Sequence, residues 1–325
     1  MSNREMKPKR TSEELVAMMR DEKGIRFEAM REDEAIQYLK QRNNYMRTAA
    51  YRKNYAKHRS GAKKGKYIQL DFKDLVALSA IDKELRVKLL EMCIDVEHAI
   101  QVHLLQELEH NDEEDGYQIV ADFLQENPHI QENILRARNG VYTKKLFQKY
   151  FQIEQVGMSH GYPLWRISSI DCPVWVLLEL LTFGDLLKFF DYYRQRFPQK
   201  TQIPRNLLNM VKSLRNACAH NNCLLVSLAP DRKTRPPRIL SQYASQVLDI
   251  SAGERAKKLS NRPLLEMTCL SYVYHQLVSD EAKQRMQDEW KRIADDWLNP
   301  MLPKFENNSL VYTSLGYILK LIQHI

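Results

Sequence analysis

No stretch of this chain is long and apolar enough to span a bilayer. The longest, residues 173–183, is interrupted by Glu179 and falls well short of the roughly 20 residues a membrane helix needs. Glycine and proline are scarce, at 10 and 12 in 325 residues, which leaves little material for the many tight turns of an all-β fold. The five cysteines (Cys93, Cys172, Cys218, Cys223 and Cys269) are odd in number and contain no CxxC pair. Nor does an apolar signal-peptide core follow the polar start (Arg4, Glu5, Lys7, Lys9, Arg10), so reduced thiols in a soluble, cytoplasmic protein are expected. Acid is missing too: residues 35–70 hold ten Lys or Arg and no Asp or Glu. A solvated surface normally intersperses both signs, so this block points to a polyanionic partner, nucleic acid before membrane.

What is present is helical material. Leu, Lys, Glu, Arg, Gln and Met are abundant, all good helix formers, so the fold class is all-α. Thr11 or Ser12 followed by Glu13 and Glu14 marks a first helix start, and a second helix is expected near Glu32. Leu85, Leu89, Met92, Val96 and Ile100 recur at three- and four-residue spacing and predict a long helix over 72–109, with a break near Ala80-Ile81-Asp82 considered. Further helices are expected over 117–125, 144–154, 173–196, from Pro204 onward, 264–278 and 281–298, with a basic linker at 231–238. No segment alternates like a strand. The reading divides the chain into a basic, Tyr-containing N-terminal region, 1–70, and a helical domain with a C-terminal helical extension, 71–325.

The candidate chemistry lies in Ser213-Leu214-Arg215-Asn216-Ala217-Cys218-Ala219-His220. A histidine exchanges protons near neutral pH with a ribose 2′-hydroxyl or a leaving oxygen, and an arginine stabilises charge developing on the phosphate between them. The nucleophile then belongs to the RNA, so no metal or cofactor is called for. Spacing alone does not identify such a site: an Arg followed by His at this distance is expected about twice from composition, and a second instance exists at Arg52 and His58. On a helix, Leu207, Met210, Val211, Leu214 and Cys218 form one apolar face, and Asn209, Ser213, Asn216 and His220 the opposite polar one. Asn216 stands one turn before His220 and could orient its imidazole. Arg215 lies at the edge of the apolar stripe, roughly 140° from His220 at 100° per residue. One straight helix would not aim both at one phosphate, so either the helix ends near Ala219 or a second copy completes the site. The plain structural alternative is a helix end in which His220 caps carbonyls and Arg215 pairs with a carboxylate.

Arg215-Asn216-Ala217-Cys218-Ala219-His220 resembles the signature of the Abi family of phage-abortive-infection proteins, the AbiD/AbiF group within the HEPN superfamily of helical ribonucleases. Asn43-Asn44-Tyr45, Tyr51, Phe72-Lys73-Asp74-Leu75, Asp82-Lys83-Glu84-Leu85-Arg86, Asp95-Val96-Glu97 and Leu181-Thr182-Phe183-Gly184-Asp185-Leu186 are similar to the family in the same order. The resemblance implies a HEPN-like helical bundle with catalytic Arg215, Asn216 and His220, and a homodimer that brings two motifs together. It also implies association with a small non-coding RNA, and an acid at Glu97 in support of Arg215 or His220. One departure stands out: where family members often continue with His and Arg, this chain continues with Asn221-Asn222-Cys223.

Within the basic region the expected RNA contacts are Arg42, Tyr45, Arg47, Tyr51, Arg52, Lys53, Lys57, Arg59, Lys63, Lys64 and Lys66. Tyrosines could stack on unpaired bases while the cations meet phosphates; equally, Tyr45 and Tyr51 could be core aromatics. His98 and His103 are five apart on one helix, which does not align metal ligands, and no metal site is expected. Together these readings describe an antiphage effector carrying a metal-independent endoribonuclease site under RNA control. The alternative is a non-catalytic module that holds a structured RNA.

Overall fold

The computed structural model describes residues 9–198 and 203–324; Arg4, Glu5 and Lys7 of the polar start lie outside them. In chain order come α1 (Ser12–Asp21), α2 (Glu32–Gln41), α3 (Tyr45–Thr48) running into a 3-10 turn (Ala49–Asn54), and α4 (Phe72–Glu109). Then follow α5 (Gln118–Glu126), α6 (Pro128–Ala137), α7 (Lys144–Tyr150), the strands β1 (Phe151–Ser159) and β2 (Tyr162–Ile170), α8 (Val174–Leu180), α9 (Phe183–Arg196) and α10 (Arg205–Ala219). The C-terminal part holds α11 (Arg238–Val247), α12 (Ala252–Leu259), α13 (Arg262–Leu277), α14 (Asp280–Ile293), α15 (Asn299–Met301) and α16 (Ser309–Ile322). The mostly helical architecture agrees with the sequence reading. Among the described residues, no helix is long and apolar enough to cross a membrane.

The chain forms two compact units. One holds the described residues up to Cys93 together with Ser213–Gln276 and those from Asp280 on; the other holds Ile94–Lys212 and Leu277–Ser279. The division between these units falls inside α4 and α10. At the start of α4, Phe72 stacks on Phe27 with ring centroids 5.4 Å apart and meets Tyr38 edge-on at 6.1 Å. These contacts bind the N-terminal region into the first unit. Thr11 caps α1 in a capping box: its hydroxyl accepts from the Glu14 amide and the Glu14 carboxylate accepts from its own amide.

In the first unit the α4 stripe is buried at Leu75, Leu78, Ile81, Leu85, Leu89 and Met92, and Trp290 of α14 donates to the Met92 sulfur at 3.3 Å. Each such side chain contributes roughly 1.5–3 kcal/mol through burial. The considered break near Asp82 does not occur, because Asp82 faces the interior and is satisfied there. In the second unit, Phe123 of α5 meets Phe189 of α9 at 5.0 Å. The expected single helix over 173–196 is two helices, since Thr182 accepts from the Asp185 amide and so starts α9 afresh.

The hairpin corrects two expectations: helix 144–154 ends at Tyr150, and strands exist. β1 and β2 pair antiparallel from Phe151↔Ile170 to Ser159↔Tyr162 around His160 and Gly161, both with positive φ (48° and 81°), the signature of a type I′ turn. Register shifts at Gln152/Ile153 and Gln155/Gly157 break the alternation of side chains. That irregularity hides the strands from a period-two reading.

Candidate functional site

Helix α10 buries Leu207, Leu208, Met210, Val211, Leu214 and Cys218 and exposes Asn209, Ser213 and Asn216, as the helical wheel requires. It ends at Ala219. The Asn221 amide donates to the Cys218 carbonyl (2.9 Å) and the Asn222 amide to the Ala217 carbonyl (2.8 Å), while Asn221 adopts φ +58°. These are the two bonds of a Schellman stop with asparagine in the left-handed position, the residue after glycine best suited to it. His220 is thereby the exposed C-cap residue. The backbone amides of Asn221 and Asn222 satisfy the terminal carbonyls, so the imidazole is not needed to cap them. Among the described residues it has no hydrogen-bond partner. Asn216 does not hold the imidazole through its side chain; its Oδ1 accepts from Arg215 Nη1 at 3.4 Å, drawing that half-buried guanidinium toward the polar face.

Behind this exposed face, the segment after His220 is fixed by buried polar groups. Asp82 of α4 has no exposed surface, and its Oδ1 accepts from the amides of Leu224 and Leu225, each at 2.9 Å. Its Oδ2 accepts from the Tyr51 hydroxyl at 2.8 Å and pairs with Arg86, itself buried, which also reaches the Asn222 carbonyl at 3.3 Å. Burial pushes the Asp82 carboxyl above its ordinary value, against the pull of Arg86 and of the Tyr51 hydroxyl. Asn54 completes the clamp: its amide donates to the Leu225 carbonyl and its oxygen accepts from the Leu228 amide, both at 2.8 Å. The loop thus trades every one of these polar groups for an internal partner, which holds it in a single conformation.

The basic region divides by burial. Tyr51 is 1% exposed, with its hydroxyl committed to Asp82, so it is a core aromatic and offers no face to a base. Tyr55 and Tyr67 are buried as well. Tyr45 is half-buried beneath Arg52, whose Nη1 donates to the Tyr45 hydroxyl at 2.8 Å. Arg42, Lys53, Lys57, Arg59, Lys63 and Lys64 are exposed and Lys66 half-exposed. The cations from Lys57 to Lys66 ride on a loop closed by the His58 amide donating to the Lys66 carbonyl and the Gly65 amide to the His58 carbonyl, both at 2.9 Å. Gly61 and Gly65 carry positive φ there, 73° and 84°. Arg47 stands apart from that loop: its Nη2 donates to Asn221 Oδ1 at 3.0 Å, beside His220.

Glu97 belongs to the second unit, half-buried on α4. Among the described residues, no three of His, Cys, Asp and Glu are grouped to hold a metal ion. Sequence reasoning named Asp82 and Arg86 only within a family-like stretch and did not identify their role behind the loop, nor Asn54, nor the placement of Arg47. A signal existed for the first two: charged residues four apart, flanked by Leu78, Ile81, Leu85 and Leu89 on an otherwise apolar stripe, are anomalous unless paired in the interior.

The family described as Abi-like protein matches residues 37–225, more than half of the chain. The match takes in the basic region from Gln37, within α2, the Asp82–Arg86 pair, the Ile94–Lys212 part of the second unit and the Arg215–His220 motif, and leaves the C-terminal hundred residues outside. No curated protein and no solved structure matches.

Proposed function

The chain belongs to the Abi-like protein family, and on that premise we propose that it is an abortive-infection effector of HEPN type that cleaves RNA at Arg215, Asn216 and His220. The observation that carries this reading is the end of α10. An exposed imidazole is presented to solvent ahead of a loop that four buried hydrogen bonds to Asp82 and Asn54 hold from behind, with Asp82 itself fixed by Tyr51 and Arg86. A structural histidine would call for its own partners; a proton-transferring one calls for a rigid mount and an open face. His220 takes the proton from the 2′-hydroxyl as it attacks the adjacent phosphorus, or returns one to the departing 5′-oxygen. Arg215 meets the charge growing on the non-bridging oxygens. Asn216, already bonded to Arg215, sets the angle of that guanidinium.

Although α10 ends at Ala219, the His220 amide still makes the helical bond to the Asn216 carbonyl. The roughly 140° that the wheel sets between Arg215 and His220 is therefore kept, and it supports a shared site in a homodimer. A two-fold axis brings two arginines and two histidines to one cleft through an isologous contact. A small non-coding RNA, bound by the exposed cations of residues 42–66, restrains the enzyme until infection. The test is the product: RNA cut by the purified chain in excess chelator should carry 2′,3′-cyclic phosphate and 5′-hydroxyl ends, with activity per chain falling on dilution as dimers part. Products ending in 3′-hydroxyls would contradict the chemistry. Full specific activity in a demonstrated monomer would contradict the sharing.

A further inference from the structure

The loop that follows His220 carries no cation of its own: residues 221–230 contain neither Lys nor Arg. The fold brings two to it from elsewhere in the first unit. Among the described residues, the cations hydrogen-bonded to this loop are Arg86, at the Asn222 carbonyl, and Arg47, at the Asn221 side chain. They differ in what they can still do. Arg86 is buried and spent on the Asp82 carboxylate. Arg47 is half-exposed and, among the described residues, has no carboxylate within ion-pair distance.

The geometry points to Arg47 as the phosphate-binding cation of the His220 site, holding a phosphate of the RNA strand next to the imidazole. This deepens the cleavage reading above and rests on it. Asn221 is the residue immediately after His220, so the 3.0 Å bond from Arg47 Nη2 to its Oδ1 fixes the guanidinium one residue along the chain from the exposed histidine. Guanidinium offers five N–H donors in a planar fork, of which the Asn221 oxygen takes one. The remainder match two phosphate oxygens. Asn221 acts as a rest for the fork: its left-handed backbone, φ +58°, is fixed by the Schellman stop, and a neutral amide oxygen orients the arginine without cancelling its charge. Neighbouring Arg52 is differently placed, lying over the Tyr45 ring with a hydrogen bond to its hydroxyl. At its other end Arg47 is anchored by the backbone, where its amide donates to the Asn44 side chain that caps α3, at 3.0 Å.

The experiment measures binding without turnover, on the full chain carrying His220→Ala. The probe is a fluorescein-labelled, mixed-sequence, 20-nucleotide single-stranded RNA, titrated by anisotropy from low to high salt. Adding Arg47→Ala should weaken binding about tenfold and lower the salt slope by about one phosphate contact. Arg47→Lys should restore the slope but only part of the affinity, since an ammonium keeps the charge and loses the fork. Asn221→Gly preserves the left-handed turn and removes only the rest; it should keep the slope and cost less than threefold in affinity. If Arg47→Ala leaves affinity and slope unchanged, the proposal is overturned. If Asn221→Gly reproduces the full loss, Arg47 is a loop tether and the proposal is equally overturned. Failure of the cleavage reading shows separately, as an RNA that the His220-containing chain binds and never cuts.

Discussion

The two regions that the sequence singles out, the Arg215–His220 segment and the basic loop from Lys57 to Lys66, are held in opposite ways. The loop that continues directly from the first is pinned from behind by Asp82, Arg86, Tyr51 and Asn54, all buried and all hydrogen-bonded to that loop or to one another. The second hangs on a few backbone bonds, punctuated by Gly61 and Gly65, with its lysines in solvent. The difference follows the physics of the two tasks. Proton transfer fails when a group is displaced by an ångström, so its mount must be rigid. Counter-charge against phosphates acts through released ions and tolerates motion. The same contrast separates two arginines: Arg86 stabilises the loop, and Arg47 faces outward beside it.

That contrast can be broken or sharpened by substitution. The largest effect is expected at Asp82. Asp82→Ala removes the acceptor for two amides and a hydroxyl and leaves Arg86 buried without its counter-charge, a loss of about 3–5 kcal/mol. Urea denaturation reads it directly, and a loss under 1 kcal/mol would mean the clamp does not hold the loop. Asn54→Ala comes next. It strands the Leu225 carbonyl and the Leu228 amide and should cost about 1–3 kcal/mol in the same measurement. Smallest in stability is the triple change of Lys63, Lys64 and Lys66 to Ala, within about 0.5 kcal/mol of the parent. That variant should nevertheless flatten the salt dependence of RNA binding. An unchanged slope would place the loop away from the RNA.

Much of this arrangement was legible in the sequence, and what was not has physical reasons. Helix α4 runs over the span that the Leu85–Ile100 periodicity sets, because one long apolar stripe leaves no alternative register. Thr11 and Glu14 announced α1 through their capping chemistry. The hairpin escaped because register shifts at Gln152/Ile153 and Gln155/Gly157 interrupt its alternation. Around the site, the wheel of α10 correctly separated Asn216 from Leu214 and Cys218, since that is local geometry. The role of Tyr51 was left open between base and core, and burial against Asp82 decides for the core. Arg47 meeting Asn221 joins residues 174 apart in sequence. No local pattern encodes such a pair; only the packing of the first unit brings it about.

The central claim is that His220 moves the protons of the cleavage step, with Arg215 stabilising the phosphate, while the groups behind them hold the loop in place. The most direct measurement compares the parent with His220→Ala on one RNA in excess chelator, reading cleavage and binding side by side. The account predicts that cleavage disappears while RNA affinity stays within about threefold and the denaturation midpoint is unmoved, since the exposed imidazole bears no structural load. Cleavage that persists in the variant, or a parent that binds RNA tightly and leaves it intact, would contradict it.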